Sequence, residues 1–280
     1  MWLICLLFLT VPGFINANDG GPFDYLMFTT IYPTAVCRAD DDSIPDSCEI
    51  PQGTPLWTIH GLWPNFENGS YPQFCPATPR KFDENLIKPI EPKLLTVWPN
   101  LFPHKSIQSF WKHEYEKHGT CAQSDEHYKN ELLYFSKSIE AYEHFNITSA
   151  LSSIGPSDKL ITKSQLISAL EGVLSGKSFQ MHCLRDKRTK QWLLGDIRLC
   201  LNKDLSIRDC PDDRNSNRVH TRFTRRARQS RGGSLPTYQE CPNSFVYIGE
   251  NSASVTLEGT TAAPEKKKGF LSSIWSKITG

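Results

Sequence analysis

The cysteines constrain the fold of this chain more than any other feature. The chain has nine cysteines in 280 residues, and Cys5 lies in an apolar run, residues 2–11, that is too short to span a bilayer. No charged side chain precedes Asp19, and Ala17 is a small residue, so the N-terminus predicts a secretory signal peptide over residues 1–17. The other eight cysteines are an even set, which in an exported chain predicts a disulfide framework. The spacing of these cysteines does not determine which of the many possible disulfide pairings forms.

Two short segments contain the candidate chemistry. The first runs from Trp57 to Pro64 (WTIHGLWP) and the second from Phe110 to Cys121 (FWKHEYEKHGTC). They hold three of the eight histidines, together with glutamate, lysine and tryptophan side chains. Cleavage of an RNA backbone requires a base for the 2′-hydroxyl, a cation for the charge on phosphorus and an acid for the 5′-oxygen. Two histidines, one neutral and one protonated, can act as that base and acid.

Secondary-structure geometry predicts how each segment presents these groups. Residues 56–63 alternate in polarity, and an extended chain would place His60 on the same side as Leu62. A helix of about 100° per residue spreads the polar side chains of the second segment over an arc of about 140°. These side chains are His113, Glu114, Lys117 and His118.

Two alternatives compete with this interpretation. His113 and Glu114 begin like the His-Glu-x-x-His motif of zinc proteases, but the second histidine, His118, follows at i+5 instead of i+4. No Cys-x-x-Cys pair is present either, so we expect no metal and no cofactor. Structural core histidines are the other alternative. They would account for one isolated histidine better than for two segments that together contain an acid, a base and a cation.

Both segments resemble the paired active-site motifs of the ribonuclease T2 family, the secreted acid endoribonucleases. The resemblance implies that His118 is the base and His60 the acid, and that His113 holds the phosphate. Glu114 and Lys117 would polarise the phosphate and stabilise developing charge. The implied products are a 2′,3′-cyclic phosphate and a 5′-hydroxyl end.

The resemblance extends through the flanking cysteines over roughly residues 23–248. It implies a sheet flanked by helices and a specific set of disulfides. The implied pairs are Cys37–Cys48, Cys75–Cys121, Cys183–Cys241 and Cys200–Cys210.

Candidate substrate-binding residues lie in and just after the first segment. Trp63 can stack on a base, and Tyr71 is a second aromatic candidate. Many family members have Asp where this chain has Asn65, and because an amide both donates and accepts, the base preference stays open. Asn68 and Asn146 each begin a glycosylation sequon, which fits an exported protein.

The elements predict an α+β fold with a central, mainly antiparallel sheet flanked by helices, in one domain over residues 18–250. Helices are predicted at 106–118 and 125–147, and a third opens on a capping box at Thr162 and can close at Gly176. Strands are predicted at 24–31, 56–63, 178–184, 191–201 and 244–248.

Two segments fall outside the family pattern. Residues 214–231, within an insert at 214–233, contain seven arginines and no acid. They predict either a solvated insert, a processing or nuclear-localisation sequence, or a polyanion- and glycan-binding segment. The binding residues would be Arg222, Arg225, Arg226 and Arg228. Residues 251–280 are a linker and a basic amphipathic tail, which predicts either core packing or peripheral membrane contact.

The sequence therefore predicts a monomeric, secreted or endolysosomal endoribonuclease of single-stranded RNA. The alternative is a catalytically idle secreted protein on the same fold that binds RNA or glycans. Such a protein would be expected to have lost His60 or His118, and the chain has both.

Overall fold

A computed structural model describes residues 23–40, 48–76, 82–103, 106–211 and 237–249. The predicted signal peptide, the arginine-rich segment with its four named arginines, and the C-terminal tail lie outside these residues. Within them, no helix is long and apolar enough to cross a membrane.

Strands from both halves of the described chain form one sheet of eight strands. They are β1 Tyr25–Ile31, β2 Thr58–Asn65, β3 Leu160–Thr162, β4 Phe179–Arg185, β5 Trp192–Leu201, β6 Ile207–Arg208, β7 Gln239–Glu240 and β8 Ser244–Val246.

The main path of the sheet is β2-β1-β5-β4-β7, with antiparallel neighbours throughout. Strands β6 and β3 extend it through antiparallel pairs with β5 and β8, and β8 runs parallel to β5. Strand β5 therefore lies at the centre, and its ten residues contact both β1 and β4. The predicted α+β class with a mainly antiparallel sheet is confirmed.

Helices connect and cover the strands. The α-helices are α1 Pro33–Ala39, α2 Glu84–Ile87, α3 Glu91–Val97, α4 Ile107–Glu114, α5 Thr120–Ala122, α6 Glu131–His144, α7 Ile147–Ala150 and α8 Lys163–Leu174. Short 3₁₀ turns lie at Lys88–Ile90, Glu126–Tyr128 and Leu151–Ser153, and a π-helical turn at Tyr115–Gly119.

The capping signals explain where the predicted helices begin and end. The Thr162 side chain accepts from the N–H of Gln165, whose own side chain accepts from the N–H of Thr162, so the predicted capping box opens α8. Gly176, the predicted end of this helix, follows it with a left-handed φ of 78°. The prediction of one continuous helix over residues 125–147 was wrong. Asn130 adopts an extended backbone and caps a new helix, α6, by accepting from the N–H of Leu133.

One face of the sheet packs against the helices to form the core. Leu26 and Phe28 of β1 face the core with Ile197 and Leu199 of β5, and none is more than 1% exposed. Phe135 of α6 belongs to the same buried cluster. The alternate residues of β1, β2 and β5 lie on the other face, which carries the candidate site.

Four disulfides join the described segments. The pairs are Cys37–Cys48, Cys75–Cys121, Cys183–Cys241 and Cys200–Cys210, which are the four pairs that the family resemblance implies.

Candidate active site

An irregularity in the ladder between β1 and β2 positions His60. Thr29 pairs with Gly61, and Thr30 pairs with Ile59, so the register shifts by one residue between them. His60 is the extra residue of this β-bulge. Bulges of this kind redirect side chains and are frequent beside active sites.

The bulge changes the face of the sheet on which the His60 imidazole lies. Regular alternation would place it beside Leu62, which is fully buried in the core. Instead, its ring lies edge-on to Trp63, with centroids 5.1 Å apart, and 6.5 Å from the ring of Tyr238. Because Trp63 follows Leu62 directly, it belongs to the opposite face. The prediction from simple alternation was therefore wrong for His60.

The second segment departs from α-helical geometry in its C-terminal half. Helix α4 ends at Glu114, and the following π-helical turn places the N–H of Thr120 on the carbonyl of Tyr115, five residues earlier. A π turn rotates less per residue than an α-helix, so the arc predicted for the polar side chains does not hold for His118. Single π turns are frequent at functional sites.

Glu114 lies at the contact between the helix and β2. Its side chain is fully buried, and Oε2 accepts a hydrogen bond from Nε1 of Trp63 at 2.8 Å. Oε1 has no hydrogen-bond partner among the described residues. A Cβ on Gly61 would lie 2.2 Å from Nε1 of Trp63 and 2.3 Å from Oε2 of Glu114. Only a glycine at this position allows the carboxylate and the indole to meet.

Trp63 contacts both candidate catalytic imidazoles. Its ring stacks on His118, with centroids 5.2 Å apart and planes inclined at 30°. His60 and His118 are each 3% exposed, and none of their four ring nitrogens has a hydrogen-bond partner in the described part of the chain. The two imidazoles are thus held by packing, and their nitrogens are not used by the fold.

Burial and neighbouring positive charge keep His60 neutral. Burial, followed by the charge of Arg198, lowers the pKa of His60 to about 3. Lys117 and His113 act in the same direction, and Asp196 opposes them.

His118 experiences the same conditions. Burial, and then the charges of Lys117, His113 and His60, hold the pKa of His118 well below its usual value. A neutral imidazole at neutral pH is the form that accepts a proton.

Glu114 and Lys117 influence each other. Burial raises the pKa of Glu114, while the hydrogen bond from Trp63 and the charge of Lys117 oppose the rise. Burial lowers the pKa of Lys117, and the charge of Glu114 opposes that change. The site therefore contains a carboxylate and an ammonium whose charges depend on each other.

His113 lies at the edge of the site beside an exposed aromatic ring. The ring of Phe74 is 6.4 Å from that of His113 and edge-on to it, and Phe74 is 60% exposed. The backbone of Phe74 is left-handed, with φ of 52°, and the N–H of Phe74 donates to the carbonyl of Lys117 at 2.9 Å. The neighbouring Cys75–Cys121 disulfide joins this loop to the end of the second segment.

The predicted substrate-binding residues are close to the same centre. Nδ2 of Asn65 donates to the backbone carbonyl of Trp63 at 2.9 Å, and Asn65 is buried. Tyr71 is half-buried. Burial raises the pKa of Tyr71, and the charge of Arg198 opposes the rise, so Tyr71 and Arg198 are close enough to interact. Base stacking on Trp63 or Tyr71 stays a prediction.

Arg198 and Phe74 also lie at the site, and neither is predicted from the sequence. Residues 191–201 are predicted only as a strand. The sequence did contain a signal for Arg198. Asp196 and Arg198 are two charged residues, two positions apart, in an otherwise apolar strand. Residues at that spacing share one face of a sheet. No sequence signal distinguishes Phe74 from other loop aromatics.

The two sequons, at Asn68 and Asn146, are both exposed, and their glycosylation stays a prediction. The side-chain oxygen of Asn68 accepts from the N–H of Ser70, and that of Asn146 accepts from the N–H of Ser149. Among the described residues, no three His, Cys, Asp or Glu side chains are grouped so that they could hold a metal ion.

These features describe a disulfide-linked α+β protein with two buried imidazoles, a carboxylate and an ammonium at one site. Comparison with known sequences identifies the family to which this class of protein belongs. The model of the ribonuclease T2 family matches residues 23–210. Ribonuclease T2 protein rnst-2 of Caenorhabditis elegans is 59% identical over 280 residues, which is 99% of this chain and 98% of that protein. Ribonuclease T2 of Homo sapiens is 31% identical over 242 residues, 82% of this chain and 88% of the human protein.

Solved structures agree with this assignment. RNase NT in complex with 5′-AMP superposes with a TM-score of 0.62 at 26% identity, over 81% of this chain and 99% of that chain. Human RNase T2 gives a TM-score of 0.59 at 27% identity, over 81% of this chain and 98% of that chain. The chain belongs to the ribonuclease T2 family, and it is an endoribonuclease of that type.

Proposed function

We propose that the protein cleaves single-stranded RNA without a metal, with His118 as the base and His60 as the acid. His118 removes the proton from a 2′-hydroxyl, whose oxygen then bonds to the adjacent phosphorus. The bond from phosphorus to the 5′-oxygen breaks, and His60 donates its proton to that oxygen. The products are a 2′,3′-cyclic phosphate and a 5′-hydroxyl end. His113 holds the phosphate, and Lys117 stabilises the charge on its oxygens together with Glu114, in the protonated form that the raised pKa of Glu114 favours.

The observation that carries this proposal is the arrangement of the two buried imidazoles around Trp63. Both rings lie within 5.2 Å of the indole, centroid to centroid, and neither uses a ring nitrogen within the described structure. Structural histidines that are buried this deeply are normally hydrogen-bonded. Four unused nitrogens in one small region therefore favour a role in proton transfer. The low pKa of His118 favours the neutral form that a base requires.

The low pKa of His60 supports a specific order of events. In the free protein, burial and Arg198 keep His60 neutral, although an acid must carry a proton. A bound phosphate brings negative charge that offsets the charges of Lys117 and Arg198, so the pKa of His60 rises when the substrate binds. RNase NT, a structural relative, was crystallised with 5′-AMP, which supports nucleotide binding on this fold.

The test uses an RNA oligonucleotide of defined sequence, incubated in excess chelator, with product ends identified by mass spectrometry. Wild type is compared with His60→Ala, His118→Ala and His144→Ala, the last an exposed histidine at the end of α6 that serves as the control. We expect cyclic phosphate ends from wild type and from the control, and a large loss of cleavage in the other two. A 2′-deoxy nucleotide at the cleaved position should block the reaction, because it lacks the nucleophile.

A non-catalytic RNA- or glycan-binding protein is the competing function. It would bind the oligonucleotide without releasing new ends, and both histidine variants would behave as wild type. Loss of cleavage in chelator would refute the metal-independent mechanism.

The four disulfides also support the proposal that the protein is secreted or resides in the lumen of an acidic compartment.

A further inference from the structure

Arg198 is on β5, on the face of the sheet that carries the candidate site. Strand β1 lies between β5 and β2, the strand of His60. Arg198 pairs with Thr29 of β1, which in turn pairs with Gly61 of β2, so the three residues form a row across the sheet. The carbon Cζ of Arg198 is 5.4 Å from the ring centroid of Trp63. Arg198 therefore approaches the site from the sheet, whereas Lys117 approaches it from the π-helical turn.

A fully buried carboxylate fixes the orientation of this guanidinium. Oδ2 of Asp196 accepts from Nε of Arg198 at 3.0 Å and from Nη2 at 2.8 Å. Oδ1 of Asp196 is 2.8 Å from Nδ1 of His182. Burial alone would raise the pKa of Asp196, but the charges of Arg198 and His182 hold it well below its usual range. Asp196 is thus ionised and holds Arg198 from one side.

The side of the guanidinium that faces away from Asp196 has N–H donors that can bind a ligand. Arginine has five N–H donors in a planar fork, and Asp196 uses only those on Nε and Nη2. Nη1 has no hydrogen-bond partner among the described residues, and the side chain retains 20% exposure. A rigid arginine with a free amino group is suited to phosphate recognition.

The charges around His60 agree with an anion at this position. Arg198 has the largest charge effect on His60, and it also acts on Tyr71, which follows β2 in the chain. The cations Arg198 and Lys117 come from different elements and both act on the same imidazole. A phosphate that met both would lie beside His60.

We propose that Arg198 is a substrate-binding residue that donates hydrogen bonds to a phosphate of the RNA in the catalytic cleft. This inference rests on the proposed function, because it takes RNA as the ligand. The phosphate is either the scissile one or its neighbour on the 5′ side, and both present the same oxygen acceptors.

Binding without cleavage provides the direct test. The probes are a dinucleoside monophosphate with a 2′-deoxy first sugar, which carries only the scissile phosphate, and the same molecule with an added 5′-phosphate. Their affinities for wild type and Arg198→Gln are measured by calorimetry at several salt concentrations. Loss of a charged hydrogen bond should weaken binding about 10- to 100-fold. Binding by Arg198→Gln should also depend less on salt concentration than binding by wild type, because one screened attraction has been removed.

A matched arginine controls for the loss of charge. Arg185 is on the same sheet, and its Cζ lies 4.9 Å from the ring centroid of Trp192, yet it is exposed and its charge is not among those that shift the pKa of His60. Arg185→Gln should bind both probes like wild type. Arg198→Lys should recover part of the affinity, because it keeps the charge and loses the fork.

The pattern of loss distinguishes the outcomes. Weaker binding of both probes assigns Arg198 to the scissile phosphate, and weaker binding of only the 5′-phosphorylated probe assigns it to the neighbouring phosphate. Unchanged affinity of folded Arg198→Gln for both probes would overturn the inference. If Arg198→Gln does not fold because Asp196 loses its partner, the double variant Asp196→Asn/Arg198→Gln removes both charges and is measured instead. Because the probes are not cleaved, failure of the proposed reaction would leave this result interpretable.

Discussion

Gly61 sets the distance between the strand and the helix at the candidate active site. A Cβ at this position would lie 2.2 Å from Nε1 of Trp63 and 2.3 Å from Oε2 of Glu114, and ordinary contacts begin at about 3.5 Å. Gly61→Ala must therefore move the indole, the carboxylate or both by about 1 Å. These two groups share the 2.8 Å hydrogen bond that joins the strand to the helix, so a displacement of that size breaks it.

We expect a large catalytic effect from this single methyl group. A displacement of about 1 Å in an active site can reduce the rate about 100-fold. Trp63 also contacts His60 and His118, so its movement disturbs both imidazoles. Overpacking should in addition cost about 1–3 kcal/mol of stability. The assay is kcat and KM for a dinucleoside monophosphate, with thermal unfolding measured on the same samples.

Two further variants make the result specific. Gly172 is in α8, and a Cβ added there would meet no atom within 4 Å, so Gly172→Ala should keep full activity and gain about 0.5–1 kcal/mol of stability. Gly61→Ala/Trp63→Phe removes the indole nitrogen that the methyl group meets, and its loss of activity should be smaller than the product of the two single losses. Wild-type kcat/KM in Gly61→Ala would refute the argument from close approach.

Other predictions follow from the disulfides and the buried histidine. Replacing Cys75 and Cys121 by Ala should lower the free energy of unfolding by about 4 kcal/mol, and replacing Cys200 and Cys210 by about 2.7 kcal/mol, because the closed loops span 46 and 10 residues. Urea unfolding measures both, and equal losses would contradict the loop-entropy reasoning. The pKa of His60 is about 3 in the folded protein and about 6.5 when unfolded, so the unfolded state binds the proton first on acidification. His60 thus reduces stability as pH falls from about 6.5 towards 3, and His60→Phe should lose less stability over that interval than wild type. Parallel plots of melting temperature against pH would contradict this. With His60 as the acid, the alkaline limb of kcat should lie at higher pH than that of kcat/KM.

Local sequence signals predicted most of the fold. The capping box at Thr162 specified where α8 begins, and the five predicted strands correspond to β1, β2, β4, β5 and β8 with small differences at their ends. These signals act through neighbouring residues, and a single sequence contains them. The interruption of the helix at Asn130 is also local, but the prediction rested on the apolar spacing that follows Asn130 and extended the helix past this cap.

The geometry of the site depended on features that a single segment does not encode. The bulge at His60 exists because β1 and β2 pair with a shift, and the shift is a property of both strands. The π-helical turn replaces the α-helical arc expected for His118. Arg198 reaches the site only because β5 lies beside β1 in the sheet. The residue types in the two motifs could be predicted from the sequence, whereas their relative positions required the tertiary pairing.

The electrostatics of the site favour a reaction in which the substrate completes the catalyst. Burial and the charges of Arg198 and Lys117 remove the proton from His60 in the free protein. In the proposed complex, a phosphate anion between the two cations would offset both charges and make a protonated imidazole favourable beside it. Under the proposed mechanism, the proton and the phosphate therefore bind together, and the acid becomes available only when a bond to phosphorus is present to be broken. In the free protein, burial and the charges of Lys117, His113 and His60 hold the pKa of His118 below its usual value, and the neutral form is the one that the proposed base requires.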